Sequence, residues 1–578
     1  MDSSTEGCTT VSAPGKVLVA GGYLVLERPN VGVVLAATAR FYTSVKWTEE
    51  KAPVSVAAPV PEPGAPAQQS LRIKVESPQF RSVHWYECVL YEDGRLPVLL
   101  ASPGQACNVF VERTITYVLG YLQHVNEAGD GTSKTVEEAL RSAGDKGHAL
   151  AIKLRADNDF YSQTGQLHAR GLPCTSSSLA TLPPFLECPM SEDGAVVVAK
   201  TGMGSSAALV SSLVGALLSF FGAARLPCFD DILRQELKGA PACGSSSSGC
   251  NAVPKVEESL DLTHNLAQAC HCVAQGKVVG SGFDVSAAIY GTHTYTRFSP
   301  NEVADALSAG DAPTQTSSNG IPGCSSASPT PVERIVTCVQ ARGGWDAKRS
   351  QLRLPPCFRL LMGDVCGGSS TPSMVRKVQA WRAHPSTASR AKEVWSDLAS
   401  TNTVIAKMLN MIAAIASAAP EDSTGGQSFE ADAKVLSALP ASSWVEQAGS
   451  QAMGADFLET LLRLQAAFAK ARQLLREMGE DAGVPIEPPV QTKLLDATSA
   501  LPGVLCAGVP GAGGVDAVFA IVVHPNAEDG VRDLWASWQV RGTDTMSEGG
   551  GTVCPLLLTA SEGGMQGGII FSRKLAWE

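Results

Sequence analysis

The chain lacks an excess of basic residues, and this absence limits which partners it is expected to bind. Its 578 residues carry 45 Lys and Arg against 56 Asp and Glu, which gives a formal net charge of -11. Nucleic acids and anionic membrane surfaces are bound through basic faces, so neither is expected as the main partner. A local basic pocket for a small anion is compatible with this balance.

Paired cysteine motifs and a secretory signal are also missing. The 16 cysteines include no CxxC pair, and the opening MDSSTEGCTTVSAPGK has no basic stretch followed by an apolar one. Cys270, His271 and Cys272 cluster on a predicted helix, where neighbours point to different faces and cannot easily share a metal ion. Scattered thiols of this kind predict a cytoplasmic protein. A peroxisomal location stays open, although the C-terminal KLAWE is not an SKL signal.

No segment is expected to cross a membrane. The uncharged window between Lys200 and Arg225 begins with a Gly and Ser loop. From Ala207 its apolar part reaches only about Phe221, short of the roughly 20 apolar residues that a span requires. The window therefore indicates a helix buried in a soluble core.

The length predicts at least two domains, because 578 residues exceed what one hydrophobic core organises. Residues 11–47 have the Val, Leu and aromatic density of two strands, and 109–122 have helical spacing. The clearest helix spans 456–480, with Gly479 at its end. Tracts rich in Gly, Ser, Ala and Pro are expected to be loops that seldom pack. They lie near 52–67, 171–184, 239–251, 308–330 and 418–455.

A glycine loop follows a short Val-rich segment, 195–199, which predicts a strand. Gly202, Gly204 and Ala207 satisfy G-x-G-x-x-A, but the acid-tipped second strand of a dinucleotide fold is replaced by a loop and a helix. A Walker A sequence, G-x-x-x-x-G-K-[ST], is absent as well. Small residues and hydroxyls at a helix N-terminus still offer free backbone N–H groups to phosphate. The sequence thus predicts a polyphosphate site without either common motif.

The segment GMGSSAA resembles the second motif of the GHMP kinase superfamily, whose loop wraps the phosphates of ATP. SAPGKVLVAGGYLVL and GVPGAGGVDAVF resemble its first and third motifs. Within the superfamily, four further stretches resemble the phosphomevalonate kinases of eukaryotes. They are DNDFYSQ, AQGKVVGSGFDVSAAIYGTHTYTRF, LLMGDVCGGSSTPSMVRKVQAW and IEPPVQTKLLDATSALPGV. Several long motifs in order are far more specific than one glycine loop.

The resemblance implies an α/β (α+β) fold of two domains with the site between them. Residues 1–345 would form a domain similar to ribosomal protein S5 domain 2, and 350–578 a ferredoxin-like domain. The implied reaction transfers the γ-phosphoryl of ATP to 5-phosphomevalonate, with Mg²⁺, giving 5-diphosphomevalonate and ADP. Alternatives are another kinase of the superfamily such as mevalonate kinase, a non-catalytic binding protein and a nicotinamide-dependent oxidoreductase.

The implied catalytic residues are Lys16, in APGKV, and Asp284, in GSGFDVSAA. Lys16 is expected to offset negative charge on the transferred group. Asp284 is expected mainly to orient Lys16 and the acceptor, because a phosphate monoester with a second pKa of about 6 needs little deprotonation. The alternative interpretations are a surface Lys on a hairpin and a helix N-cap.

The remaining implied residues bind nucleotide, acceptor and metal. Nucleotide contacts are expected from Gly202, Met203, Gly204, Ser205, Ser206, Ala207 and Asn158. Acceptor contacts are expected from Ser369, Ser370, Thr371, Gly511, Gly513 and Gly514, with Arg376 and Lys377 close behind. Mg²⁺ is expected on Ser205 or Ser206, with phosphates and waters, because AQACHCVAQ offers no carboxylate. An ordinary N-cap at 369–371, a tight turn at 511–514 and a polar turn at Asn158 are the alternatives.

Overall fold

The computed structural model describes most of the chain. The described residues are 7–50, 68–102, 104, 108–127, 139–140, 142–143, 146–228, 255–308, 329–340, 345–365, 367–368, 370–418, 429–447, 454–538, 553–561 and 567–572. The predicted loops at 52–67 and 239–251 and the core of the one at 308–330 lie outside them.

Thirteen strands in the described residues form two sheets. They are β1 Thr9–Ala20, β2 Gly32–Thr48, β3 Gln68–Ser77, β4 Ser82–Tyr91, β5 Val98–Ala101, β6 Ala149–Ala156, β7 His293–Thr296, β8 Lys348–Gln351, β9 Arg359–Asp364, β10 Val504–Gly508, β11 Ala517–Val522, β12 Cys554–Pro555 and β13 Ile570–Ser572. The two strands expected within 11–47 are confirmed as β1 and β2. Strands β10 and β11 lie on the two sides of the 509–514 loop.

The larger sheet is mixed and the smaller one is antiparallel. The larger sheet has the order β13-β1-β2-β6-β3-β4-β5, with β7 on β2 and β8 on β7, and among its described strands only β3 and β6 pair in parallel. The smaller sheet has the order β10-β11-β9-β12. Strands β8 and β13 follow residue 345 in sequence but belong to the larger sheet, so the later part of the chain contributes to the sheet that the earlier part begins. The boundary near 345–350 stays a prediction.

Fourteen α-helices in the described residues cover the two sheets. They are α1 Val109–Glu127, α2 Thr164–Ala169, α3 Ser176–Ala180, α4 Ser205–Phe220, α5 Val256–Ala274, α6 Phe283–Tyr290, α7 Ala304–Ser308, α8 Pro331–Val339, α9 Thr371–Ala383, α10 Ala388–Ala418, α11 Phe429–Leu436, α12 Ala455–Ala482, α13 Pro489–Ser499 and α14 Glu528–Ser537. Helix α4 packs on β1 and β2 and against α1 and α5, whereas α12 and α13 pack on β10.

The predicted strand at 195–199 is wrong. The segment makes only isolated bridges nearby, Met190 with Val196 and Tyr161 with Lys200. Val197 and Val198 are 45% and 40% exposed. Their β-branched side chains favour a strand, but the segment has no sheet neighbour on which to pack, and tertiary context overrides propensity. The glycine loop therefore follows an extended surface segment.

The end of the long helix also differs from the prediction. Helix α12 continues past Gly479 to Ala482, and Gly483 ends it with a left-handed φ of 62°. Gly479 lies inside the helix. A Cβ at this position would be 2.8 Å from the carbonyl oxygen of Val484, which explains why the residue is glycine. Its glycine serves close packing with the returning chain.

Two tracts predicted to be unpacked loops contain packed elements. Within 171–184, Thr175 caps α3, and Leu179 and Leu182 are buried. Within 418–455, α11 precedes Trp444, which is fully buried and donates through Nε1 to the carbonyl oxygen of Leu436. A few large apolar residues are enough to anchor these otherwise small and polar segments.

Among the described residues, one helix is long and apolar enough to cross a membrane, although the sequence predicted no such segment. It is α10, whose most apolar window has a mean hydropathy of 1.3 and is 39% buried. In the structure α10 packs along α12. Its buried side chains include Leu398, Ile405 and Leu409, as in the core-facing stripe of an amphipathic helix.

Candidate active site

A cleft gathers residues from the first glycine loop, from the N-terminal segment and from the 510–514 loop. Its lining is Lys16, Leu18, Tyr23, Val25, Leu26, Gly202, Ser281, Phe283, Thr371, Val375, Pro510, Gly511, Ala512, Gly513, Asp516 and Ala517. Segments far apart in sequence therefore meet at one place.

Lys16 lies on β1 and is held by the glycine loop. The β1–β2 register shifts between Pro14 and Lys16, which locally disrupts the ladder. The backbone N–H of Lys16 donates to the carbonyl oxygen of Met203 at 3.1 Å, and its Nζ donates to that of Gly202 at 2.9 Å. Its side chain is therefore directed to the loop.

Burial and a neighbouring carboxylate have opposite effects on the pKa of Lys16. Burial lowers its pKa, and the nearby carboxylate of Asp284 acts in the opposite direction. The ring of Phe283 lies next to the amine, with its centroid 5.3 Å from Nζ. The carboxylate thus favours the ammonium form that a phosphate would need, in a place where burial disfavours it.

The glycine loop leads directly into α4. Gly204 precedes the helix with a φ of 73°, in the left-handed region, and no side chain caps the first turn. A Cβ on Gly204 would lie 2.9 Å from Cε of Lys16. Glycine at position 204 therefore tolerates the left-handed φ and leaves room for the Lys16 side chain. Ser205, Ser206 and Ala207 form the first turn of the helix.

Ser206 has a partner that the sequence motifs did not indicate, His271. Its Oγ lies 3.2 Å from Nε2 of His271, on α5. Burial lowers the pKa of His271, and Asp284 opposes that shift. His271 is thus an imidazole that burial holds toward its neutral form, in contact with one of the two serines predicted to bind metal.

Asp284 lies in the first turn of α6, but it is not the N-cap. Gly282 occupies that position with a φ of 75°, and Oδ1 of Asp284 accepts from the backbone N–H of Val285 at 3.0 Å. The carbonyl oxygen of Gly282 accepts from Nε2 of Gln268 at 2.7 Å. A second helix with an uncapped N-terminus therefore begins at the cleft, where Ser281 and Phe283 belong to the lining.

The 510–514 loop is fastened to the N-terminal segment. The hydroxyl of Tyr23 donates to the carbonyl oxygen of Ala512 at 2.7 Å, and the N–H of Gly511 donates to that of Leu18 at 3.0 Å. Gly511 and Gly513 line the cleft. Gly514 is outside the lining, and its N–H donates to the carbonyl oxygen of Ile486 at 2.8 Å.

The predicted acceptor residues divide into three cases. Thr371 begins α9 and lines the cleft. Ser370 is the N-cap of α9, although its side chain makes no capping hydrogen bond, and it is exposed. Ser369 lies outside the described residues. Arg376 and Lys377 are exposed on the same helix.

Asn158 ties two loops together. Its Nδ2 donates to the carbonyl oxygen of Pro183 at 2.9 Å, and its Oδ1 accepts from the N–H of Leu186 at 2.8 Å. Both ends of the amide are therefore engaged with the 183–186 segment. A nucleotide contact from Asn158 stays a prediction.

The residues of the site that the sequence did not predict include Tyr23, His271, Phe283 and Val375. Tyr23 and Phe283 stand inside the quoted motifs next to Gly22 and Asp284, so proximity to a motif was the available signal. His271 carried none, since a lone histidine on an apolar helix predicts a core position.

Comparisons with known proteins agree with the motif order. A protein of Arabidopsis thaliana named peroxisomal phosphomevalonate kinase is 36% identical over 536 residues, 92% of this chain and 92% of that protein. A phosphomevalonate kinase of Aspergillus fumigatus is 31% identical over 574 residues, 97% of this chain and 96% of that one. No protein-family model matches the sequence.

Among solved structures, the fold is similar to that of Streptococcus pneumoniae phosphomevalonate kinase in complex with phosphomevalonate and AMPPNP. That chain is 15% identical with a TM-score of 0.45, and the alignment covers 91% of this chain and 96% of that one.

Proposed function

The chain belongs to the phosphomevalonate kinase family, and we propose that its cleft transfers the γ-phosphoryl group of ATP to 5-phosphomevalonate, giving 5-diphosphomevalonate and ADP. The observation that carries the proposal is the contact of Lys16 Nζ with the carbonyl oxygen of Gly202, at 2.9 Å. It brings a cation to a glycine loop at an uncapped helix N-terminus, and both features favour a polyphosphate.

Charge sets the main difficulty of the reaction. Two phosphate groups repel each other, so the site has to offset negative charge and align the acceptor oxygen with the γ-phosphorus. The ammonium group of Lys16 has three donors, of which Gly202 takes one. The remaining donors are available to the transferred group, and Lys16 therefore supplies the main stabilisation of the transition state.

Asp284 orients this lysine and the acceptor. Its charge opposes the effect of burial on the pKa of Lys16. The acceptor oxygen belongs to a phosphate whose second pKa is about 6, so it is already deprotonated at neutral pH. A general base is consequently not required, and an orienting carboxylate satisfies the chemistry.

The first turn of α4 binds the nucleotide phosphates. Gly202, Met203 and Gly204 bring the backbone close, and Ser205, Ser206 and Ala207 present N–H groups that no side chain caps. Asn158 adds a contact near the base through the loop that it holds. Such a cradle provides hydrogen-bond donors without adding bulk.

Mg²⁺ fits this first turn, because hydroxyl oxygens are hard ligands of the kind it takes. Ser205 or Ser206 would hold the ion, and His271 would orient the Ser206 hydroxyl. Among the residues that the structure describes, no three His, Cys, Asp or Glu side chains are grouped to hold a metal. Nucleotide phosphates and waters would therefore supply the other ligands, and the bound ion would offset charge on the phosphates.

The acceptor binds between the start of α9 and the 511–514 loop. Thr371 and the neighbouring Ser369 and Ser370 supply hydroxyls, and Gly511, Gly513 and Gly514 let the main chain approach. The support is that Thr371, Gly511 and Gly513 line the same cleft as Lys16. Both substrates would then meet between the layers carried by the two sheets.

The cytoplasm is the proposed location, with the peroxisome as the alternative. The described cysteines are all free, as in a reducing compartment. The Arabidopsis relative is named peroxisomal. Fractionation of the untagged protein separates the two.

A coupled ADP-release assay tests the function. Mevalonate, phosphomevalonate and diphosphomevalonate are supplied in turn with ATP and Mg²⁺. Phosphomevalonate should release ADP well above the other two acceptors. Preference for mevalonate would contradict the substrate assignment while leaving a small-molecule kinase in place.

A further inference from the structure

Three polar side chains form a buried stripe on helix α5. His264, Gln268 and His271 follow one another by four and three residues, so they lie on one face of the helix. All three are buried, and the described lining of the active cleft includes none of them. His271 contacts Ser206 in the first turn of α4, and Gln268 contacts the residue before α6. The stripe therefore reaches the starts of two helices that begin at the cleft.

The amide of Gln268 joins His264 to the turn that begins α6. Its Nε2 donates to the carbonyl oxygen of Gly282 at 2.7 Å and lies 3.1 Å from Nε2 of His264. The contact with Gly282 fixes the orientation of the amide, because the amide oxygen at that position would face a second acceptor. The two amide hydrogens are thus directed to Gly282 and His264, and the histidine nitrogen has to accept.

His264 is in the protonation state that this arrangement requires. Burial lowers its pKa to about 3, and the charge of Arg349 acts in the same direction, so the imidazole is neutral at pH 7. Its Nδ1 lies 3.0 Å from Oδ1 of Asn265. With the ring proton on Nδ1, His264 donates to Asn265 and accepts from Gln268 through Nε2. Asn265 in turn donates to the carbonyl oxygen of Val339, at the end of α8, at 3.3 Å. A chain of hydrogen bonds therefore anchors the α6 turn to the interior.

A second buried donor holds the same turn. Tyr295, on β7, is fully buried, and its hydroxyl donates to the carbonyl oxygen of Ser281 at 2.9 Å. Gly282 also packs closely, because a Cβ there would lie 2.9 Å from Nε2 of Gln268 and 2.6 Å from Cε1 of Phe298. Two consecutive carbonyl groups are thus fixed by buried side chains, and close packing leaves the turn little room to move.

The turn carries two side chains that act on Lys16. Phe283 and Asp284 directly follow Gly282 in sequence. The ring of Phe283 has its centroid 5.3 Å from Nζ of Lys16, and the carboxylate of Asp284 raises the pKa of the lysine against burial. A displacement of the turn would therefore move both groups relative to the amine.

We propose that Gln268 and Tyr295 are positioning residues of the phosphoryl transfer, which hold the carbonyl oxygens of Gly282 and Ser281 and thereby set the place of Asp284 beside Lys16. The kinetic consequence rests on the proposed function, whereas the effect on the lysine does not. If the carboxylate moves away, it stabilises the ammonium form less. Loss of either support should then lower the pKa of Lys16.

Competitive acylation of the full chain tests the effect on Lys16 without any substrate. Trace acetic anhydride is applied over a range of pH, and peptide mass spectrometry measures the acetylated fraction of Lys16. Gln268→Met keeps the size of the side chain but removes its donors, so the pKa of Lys16 should fall by about 1. Tyr295→Phe removes a single hydroxyl and should lower this pKa by a smaller amount. Asp284→Asn gives the fall expected for complete loss of the carboxylate charge.

Thr263→Val is the matched control for loss of a buried hydrogen bond on the same helix. The Thr263 hydroxyl is buried and donates to the carbonyl oxygen of Ser259 at 2.6 Å, within α5 itself. Its loss should leave the pKa of Lys16 unchanged. An unchanged pKa in both Gln268→Met and Tyr295→Phe would overturn the proposal, as would an equal fall in Thr263→Val. Urea unfolding verifies that each variant is folded, and Tyr295→Phe decides alone if Gln268→Met does not fold.

ADP release measures the consequence for the reaction. Gln268→Met should lower kcat about tenfold, as a small displacement of a positioned group does, and leave the KM for ATP unchanged. In an Asp284→Asn background the same substitution should cost little more, because it acts through Asp284. Losses that multiply in the double variant would overturn the positioning role. Absence of ADP release in the wild type would contradict the proposed function and leave the acylation result to decide whether Gln268 positions Asp284.

Discussion

The two glycine-containing loops of the active cleft, 202–204 and 511–514, use glycine for different reasons. In the first loop a Cβ on Gly204 would lie 2.9 Å from Cε of Lys16. In the second loop a Cβ on Gly513 would lie 2.3 Å from the carbonyl oxygen of Ile486. Gly204 leaves room for the side chain of Lys16, which is proposed to act in the reaction. Gly513 leaves room for the backbone of Ile486, which belongs to the fold. Changes in the first loop should therefore alter catalysis, and changes in the second should alter stability.

The largest effect is expected at Lys16, the group to which the first loop is fitted. Lys16→Met keeps the length of the side chain but removes the charge that offsets two anions, so turnover should become unmeasurable. ADP release measures this, with Lys407→Met as the control for loss of an exposed lysine. Substantial turnover in Lys16→Met would separate the first loop from the chemistry.

The next effect concerns Gly204. Val at this position would be forced into a left-handed backbone and against Lys16, so ATP binding should weaken strongly. Met203→Leu, a volume-conserving change at a buried neighbour, should be mild. Calorimetric titration with ATP and Mg²⁺ compares the two. Wild-type affinity in a folded Gly204→Val protein would remove this loop from the nucleotide site.

A smaller effect, on stability, should distinguish two glycines of the second loop. The Cβ of Gly511→Ala would meet no atom within 4 Å. Its φ of 65° alone should lower the free energy of unfolding, by about 1 kcal/mol. Ala at Gly513 has a φ of 76° and also collides with Ile486, which should add about 1–3 kcal/mol. Urea unfolding measures both. Equal destabilisation by Gly511→Ala and Gly513→Ala would mean that the second loop can move to accommodate a Cβ. The proposed difference between the two loops would then be wrong.

The sequence predicted the parts of the site that lie within one motif. Lys16, the Gly204 turn and α4 followed from local patterns and from the resemblance. The pairing of the Tyr23 hydroxyl with Ala512 joins residues 489 positions apart, and no local pattern reports such a contact. The contact of His271 with Ser206 was missed for the same reason, because it depends on how α5 packs against α4.

The fold shows the same limit. Strands β1 and β2 were predictable because Val, Leu and aromatic residues are frequent in both segments. The error at 195–199 arose because Val-rich composition cannot reveal whether a sheet edge is available. The return of β13 to the first sheet depends on pairing with β1, which composition near the C-terminus does not encode.

The pH dependence of turnover in Asp284→Asn tests most directly whether Lys16 is the principal group and Asp284 orients it. The acid limb belongs to the acceptor phosphate, so it should stay near a pH of about 6 in the variant, at a lowered but measurable rate. The alkaline limb reports Lys16. Loss of the Asp284 charge removes the influence that raises the pKa of Lys16 against burial, so this limb should move to lower pH. A variant as inactive as Lys16→Met at every pH, with both substrates bound, would contradict the account and require Asp284 to transfer a proton or hold the metal.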